Sequence, residues 1–404
     1  MTLPLENITI LDLSRMLPGP YCSMILSDLG GDVLRVEDPR YPYGSPPPFF
    51  QKGRYRESAF NFILNRNKKS ITLNLKQEKA KQIFYDLVKQ ADVVLDTYRP
   101  KVTAKLGIDY ETLKKINSSI ICCSLTGYGQ YGPYEQLAGH DMNYLGICGI
   151  MHLNRERKKY GKEDQERKPI VPGIQAADIG GALVAVIGIL GAITERENNP
   201  EHIGQYVDIS MLDAAFSFMP MSQAYQISKD LSGTIRTENP LHGAMPYYQT
   251  YQTKDDRYLT VGAIELKFWR ELCRGLNRPD LLKKQAVKGE ERENVFKELQ
   301  KEFLKKNLKD WMEIFKDYDT CIMPVKNIEE AFEDPQLNAR QMIVDQEHPK
   351  LGTLKNIAPA IKYSRTPLGI RSLAPSIGEH TYEVLEGLGY SKEEIKSLKR
   401  KKII

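Results

Sequence analysis

The opening forty residues limit the fold more than any other stretch. "NITILDLS" is β-branched and apolar and reads as a strand. "PGPYCSMILSDLGG" opens on proline, carries apolar residues at helical spacing and closes on glycines, and "DVLRVE" is the next strand. Strand, helix and strand at this spacing make a right-handed crossover, so the strands lie parallel. The alternation pauses over a Pro/Gly/aromatic loop at 40–57. It resumes through strand "SITLNL", helix "KQEKAKQIFYDLVKQA", strand "DVVLDTY", a helix near 110–116 and strand "SIICCSL". This is the pattern of an α/β fold with a parallel sheet. The turn after the first strand, "SRMLPGP", is not GxGxxG, so the dinucleotide fingerprint is missing and no NAD or FAD is expected.

Past residue 235 the texture changes. "PYYQTYQTKDDRYLTVGAI" predicts a hairpin around Lys254, Asp255 and Asp256, with helices at 266–276, 288–306 and 308–315 after it. That is a second, smaller α+β domain. The tail "GEHTYEVLEGLGYSKEEIKSLKRK" predicts a pair of amphipathic helices. Residues 154–169 are dense in charge and read as a solvated loop or insertion.

Composition narrows the function. With 57 basic and 52 acidic residues the net charge is +5, too slight an excess to argue for nucleic acid but compatible with an anionic small ligand. The start has no basic segment followed by an apolar one, so no signal peptide is expected. "IGGALVAVIGILGAI" (179–193) is flanked by Asp178, Glu195 and Arg196 and reads as a buried helix, too short for a membrane span. The six cysteines form no CxxC pair, which suits reduced thiols in a cytoplasmic protein. No His/Cys cluster has ligand spacing, so no metal is expected.

Three ionisable residues stand where an ordinary chain seldom puts them. His140 follows Gly139 at the mouth of the apolar segment "LAGHDMNYLGICGIM". Asp178 opens the most apolar helix, and Glu265 ends a strand just before a helix. Taken singly, the two acids read as helix caps. Taken together with the histidine, they are the residue types for proton transfer: a carboxylate and an imidazole facing each other across a ligand, with a second carboxylate fixing the tautomer. Backbone N–H groups at the start of the "DIGGALVAV" helix are candidates to hold an enolate oxygen. The basic string "NRNKKS" (65–70) fits a solvated turn or a phosphate contact equally. Met142, Ile147 and Met151 fit an apolar acyl site or ordinary core.

In order along the chain, "LPGPYCSMILSDLGGDVLRVE", "NRNKKSITLNLK", "YRPKVTAKLGIDYETL", "LTGYGQYGPYEQLAGHD", "GQYVDISMLDAA", "HGAMPYYQTY" and "IGEHT" resemble the class III CoA-transferase family, of CaiB/BaiF type. The resemblance covers nearly the whole chain. It implies a Rossmann-like large domain over 1–205, completed by 360–404, a linker helix over 206–239, a small α+β domain over 240–335 and a return linker over 336–359. It also implies an interlocked homodimer whose active site joins the large domain of one copy to the small domain of the other.

Two chemistries occur in the family. Transferases use an Asp, matched by Asp178, as the nucleophile that forms an acyl anhydride. α-Methylacyl-CoA racemases use the same position as an acid/base, opposed by a His paired with a Glu. "AGHDMNYLGICGIM" and "VGAIELKFW" look like the racemase motifs, which places His140 and Glu265 in those roles. The resemblance implies no permanent cofactor, with coenzyme A entering as part of an acyl-CoA substrate. It implies CoA contacts at Leu73, Asn74, Leu75, Lys76, Thr97, Tyr98, Arg99, Lys105, Gly139, Asp141, Met142, Asn143 and Tyr144. An Arg that racemases carry after "VLRVE" is Asp38 here, with Arg40 as the candidate substitute.

Overall fold

The computed structural model describes residues 2–40, 47–53, 55–157, 168–232 and 240–404. Parts of the loop at 40–57, the insertion at 154–169 and the linker at 206–239 therefore lie outside the described residues. The chain divides into two compact units: residues 1–148, 173–218 and 335–404, and residues 149–172 and 219–334.

The first unit is built on six parallel strands: β1 (Thr9–Asp12), β2 (Asp32–Glu37), β3 (Lys69–Thr72), β4 (Val93–Asp96), β5 (Ile121–Thr126) and β6 (Tyr206–Ser210). Their order is β3-β2-β1-β4-β5-β6, with every neighbouring pair parallel. This is the doubly wound order, in which the winding reverses between β1 and β4 and leaves a crevice at the carboxyl ends of those strands. Every residue of β5 is buried, as a strand covered on both faces requires.

Helix α1 (Pro18–Asp28) makes the first crossover, with proline fixing its start and Gly30 (φ 109°) its end. Helix α2 (Glu78–Val88) buries Ala80, Ile83, Phe84, Leu87 and Val88, one face at helical spacing. The tail helices Thr381–Gly387 and Lys392–Arg400 return to this unit, where Leu385, Ile395, Leu398, Ile403 and Ile404 join the same core as Phe84.

The linker boundaries drawn from sequence shift. "YVDIS" is the edge strand β6, because its backbone pairs with β5, so the proposed linker at 206–239 begins inside the sheet. The proposed return linker at 336–359 holds an antiparallel hairpin, Ile343–His348 with Gly352–Ile357, that belongs to the first unit.

In "NRNKKS" neither Arg66 nor Lys68 is solvated, whereas the Lys69 side chain is 43% exposed and lies 3.5 Å from Asp32. Arg66 and Lys68 are each only 3% exposed. Arg66 makes a two-pronged bond to Asp28, Nη2 to Oδ2 at 2.7 Å and Nε to Oδ1 at 3.1 Å, and donates from Nη1 to the Ile357 carbonyl at 2.7 Å. Lys68 donates to Pro20 O (2.9 Å), Ser23 Oγ (2.7 Å) and Asn65 Oδ1 (3.0 Å), and Asp12 lies 3.7 Å away. Burial lowers the Lys68 ammonium to about 7, against the pull of Asp12.

The second unit carries an antiparallel sheet in the order Ile322–Pro324, Tyr258–Gly262, Tyr248–Gln252. Helices Leu266–Gly275, Gly289–Phe303 and Leu308–Phe315 pack with it around Trp269, Phe303, Trp311 and Phe315. Both indoles find acceptors, Trp269 at Leu281 O (3.0 Å) and Trp311 at Phe303 O (2.8 Å). The described part of the 154–169 insertion includes Arg157, whose guanidinium pairs with Glu293 and lies over Phe296.

Replacing Asp28 by Ala leaves a buried guanidinium without its counter-ion. The expected cost is about 3–5 kcal/mol in urea unfolding of the first unit, most of it recovered when Arg66 is also replaced, by Met. A loss below about 1 kcal/mol would show the pair to be solvated.

Candidate active site

The carboxyl ends of β1, β4 and β5 open into a cavity of about 630 Å³. Its walls include Arg15 after β1, Thr97, Tyr98 and Arg99 after β4, and Thr126 at the end of β5. The far wall comes from Gly139, His140, Tyr144 and Asp178. The winding reversal of the sheet thus sets the place of the cavity, and two of the three proposed catalytic residues line it.

His140 precedes helix α3 (Asp141–Ile147), and its N–H donates to the Asn143 side chain at 2.9 Å. Asp178 lies in the first turn of helix α4 (Ala176–Asn198). Asp141 joins the two helices: its Oδ1 accepts from Ala177 N at 2.6 Å and Asp178 N at 3.1 Å. These are the free N–H groups of a helix start, where a negative charge is also favoured by the dipole. The N–H groups suggested from sequence as enolate donors are therefore already paired, which corrects that expectation.

Burial raises the Asp178 carboxyl to about 6; the Asp141 charge adds to the rise and His140 opposes it. Burial also raises the Tyr144 phenol to about 12, with Asp178 adding and Arg99 opposing, so the phenol is neutral at physiological pH. Tyr144 meets Tyr128 edge-on, with centroids 5.1 Å apart. Two glycines make room for it. A Cβ at Gly127 would collide with Tyr144 Oη, and one at Gly139 would sit 2.7 Å from both Tyr144 Cε1 and Tyr128 Oη.

The expected CoA positions divide. Thr97, Tyr98, Arg99, Gly139 and Tyr144 line the cavity. Leu73, Asn74, Leu75, Lys76, Lys105, Asp141, Met142 and Asn143 do not line it. Leu73 and Leu75 belong to the core, and the Asn74 N–H donates to Ile403 O at 2.8 Å. Lys76, Lys105, Met142 and Asn143 are exposed. Ile147 is also exposed, so neither it nor Met142 is ordinary core, and Met151 belongs to the second unit. Arg40 donates from Nε to Asp38 Oδ1 at 2.8 Å. Burial alone would push the Asp38 carboxyl up, but Arg40 outweighs it and holds the group below its ordinary value.

Glu265 lies in the second unit, exposed, immediately before helix Leu266–Gly275. Sequence reasoning missed Arg15, Thr126 and Tyr128 in the cavity wall. Arg15 and Thr126 stand at strand ends, the places where an open parallel sheet gathers its ligands.

A family model described as CoA-transferase family III matches residues 5–381. Human alpha-methylacyl-CoA racemase is 33% identical over 413 residues, covering 99% of this chain and 97% of its own. Human succinyl-CoA:glutarate CoA-transferase is 31% identical over 394 residues, covering 95% of this chain and 85% of its own. Among solved structures, a CAIB/BAIF family protein from Brucella suis superposes with a TM-score of 0.79 at 29% identity, covering 96% of this chain and all of the other.

The helix cap makes a prediction of its own. Asp141→Asn keeps an oxygen for the two N–H groups but removes the charge. The Asp178 carboxyl should then titrate below about 6, read by carbon NMR of the side-chain carboxyls with Asp178→Asn as the assignment control. No downward movement would mean that Asp141 exerts no field on Asp178.

Proposed function

The chain belongs to CoA-transferase family III and is an acyl-CoA-active enzyme, and on that premise we propose that it is a 2-methylacyl-CoA racemase. The observation that carries this reading is the pairing of His140 with Asp178 in one cavity, the carboxyl raised to about 6. A carboxylate with that pKa is ionised at neutral pH and is a stronger base than an ordinary aspartate.

The hydrogen beside a thioester carbonyl is only weakly acidic, so its removal needs a base in a shielded pocket. Asp178 takes it from one stereoisomer and His140 from the other. The residue opposite the base, already carrying a proton, gives it to the other face of the planar enolate: imidazolium His140 when Asp178 is the base, and the Asp178 carboxylic acid when His140 is. Arg99, at the cavity wall, suits the phosphates of coenzyme A, and Tyr98 and Tyr144 suit its body. Glu265 orients the imidazole, supplied by the second unit of the other copy in an interlocked homodimer.

A second reading, transfer of CoA between carboxylic acids through an anhydride at Asp178, is favoured by the similarity to succinyl-CoA:glutarate CoA-transferase. The two part on one experiment. A single enantiomer of a 2-methylacyl-CoA is incubated in D2O without free acid. Racemisation chemistry puts deuterium at the α-carbon with loss of optical purity. Asp178→Asn and His140→Gln should each lower the rate by roughly 10²–10⁴, and Glu265→Gln should fall chiefly in the direction that starts at His140. The Asp178-initiated direction should decline below about pH 6, as the base becomes protonated. If the wild-type protein exchanges nothing, the racemase reading is wrong. An Asp178 acyl adduct trapped by hydroxylamine would then support transfer.

A further inference from the structure

The turn after β1 supplies Arg15, Met16 and Leu17 to the cavity wall. Met16 stands at φ 65°, in the left-handed region that a long side chain seldom enters. The sequence "SRMLPGP" puts no glycine at that point to ease the turn. Such strain persists only where the surroundings over-determine the backbone. The contacts around this turn do so. From below, Asp12 Oδ1 accepts the Ser14 N–H at 2.8 Å and also the Ser14 hydroxyl. From the side, Arg15 N donates to Thr97 Oγ1 at 3.1 Å. Helix α1 presses close as well: a Cβ at Gly19 would sit 2.2 Å from Ser14 Cβ.

Asp12 is itself fixed from deeper in the core. Ser23 Oγ donates to its Oδ2 at 2.5 Å and accepts from Lys68 Nζ at 2.7 Å. The Asp12 and Lys68 side chains are fully buried, 3.7 Å apart. Replacing an ion pair at that depth by apolar residues of similar volume often leaves stability unchanged or improves it, so stability is a poor reason for its presence. A wall already held in shape, by contrast, loses little further freedom when a ligand binds. We propose that Asp12 and Lys68 are positioning residues: the buried pair clamps the turn from Ser14 to Leu17 in its strained shape and so sets the cavity wall for coenzyme A. Neither lines the cavity; both act through Ser14. The inference rests on the reading that acyl-CoA occupies this cavity, and not on which reaction follows there.

The test uses the double variant Asp12→Leu/Lys68→Met, which leaves no unpaired charge in the core but takes the acceptor from Ser14. The protein is labelled with ¹³C at the methionine methyl groups, and the Met16 signal is assigned with Met16→Leu. Without ligand, the double variant should move the Met16 signal. Met312 and Met323, in the second unit, should stay in place and report an intact fold. The Kd for coenzyme A, read by calorimetry, should rise roughly ten-fold at an unchanged number of sites. A merely structural role would lower the number of competent sites and leave Kd alone. Ser14→Ala, which removes one of the two bonds to Asp12 and keeps the core charges paired, should show both changes at smaller size, and it decides the matter if the double variant does not fold. A Met16 signal or a Kd that keeps its wild-type value overturns the clamp, provided that coenzyme A moves Met16 in the wild-type protein. If coenzyme A does not move Met16 there, the cavity reading fails, and a displaced Met16 in the variant still supports the clamp on the turn.

Discussion

The bond from the Asp141 carboxylate to the first turn of the long apolar helix is the contact on which the rest of the cavity depends. It fixes the segment carrying His140 against the segment carrying Asp178. It also places a negative charge beside Asp178, adding to the burial that makes that residue a stronger base. Structural satisfaction of a helix start and tuning of a reactive carboxyl are here one interaction. Close packing holds the helix in place: a Cβ at Gly180 would collide with the Phe218 ring, and one at Gly181 would meet Met211 at 2.7 Å. Small residues there let the helix lie directly on its neighbours, and on β5 beneath it.

Much of the fold was legible because period and punctuation are local properties. The prolines of α1, the glycines after it and the alternation around Lys254–Asp256 each announce an element without help from the rest of the chain. Domain edges were less legible. "YVDIS" is recognisable as a strand, but only the free edge of β5 decides which sheet it joins. His140 and Asp178 stood out because titratable residues at the mouths of apolar segments are unusual. Arg15 and Thr126 did not, because their importance comes from strand order, which sequence does not display. Basic strings mislead in the opposite direction: Arg66 and Lys68 read as solvent-facing, yet ion pairing and carbonyl acceptors make their burial tolerable. Leu73 and Leu75 stand at CoA-matching positions, but their side chains belong to the core.

The two units solve the problem of a stable interior differently. The second closes around stacked and edge-on aromatics, with Trp311 and Phe315 ring centroids 5.8 Å apart. The first threads a polar network through its core, from Asp12 and Lys68 to Asp28 and Arg66. Such networks add little net stability, since desolvation offsets much of the attraction, but each member must find its partner for the set to be tolerated.

The return of the tail to the first unit has a consequence for how the protein is made. Ile403 accepts the backbone N–H of Asn74, and Leu385, Ile395, Leu398 and Ile404 complete the interior that begins with β1. A ribosome delivers β1 through β5 long before it delivers these residues. The first unit must therefore wait, with apolar surface open, until these residues emerge. Residues 219–334 form one uninterrupted stretch of the second unit and emerge earlier than that tail. The portion that carries the cavity is thus the last to close during synthesis, and the nascent chain spends that interval most dependent on protection from aggregation.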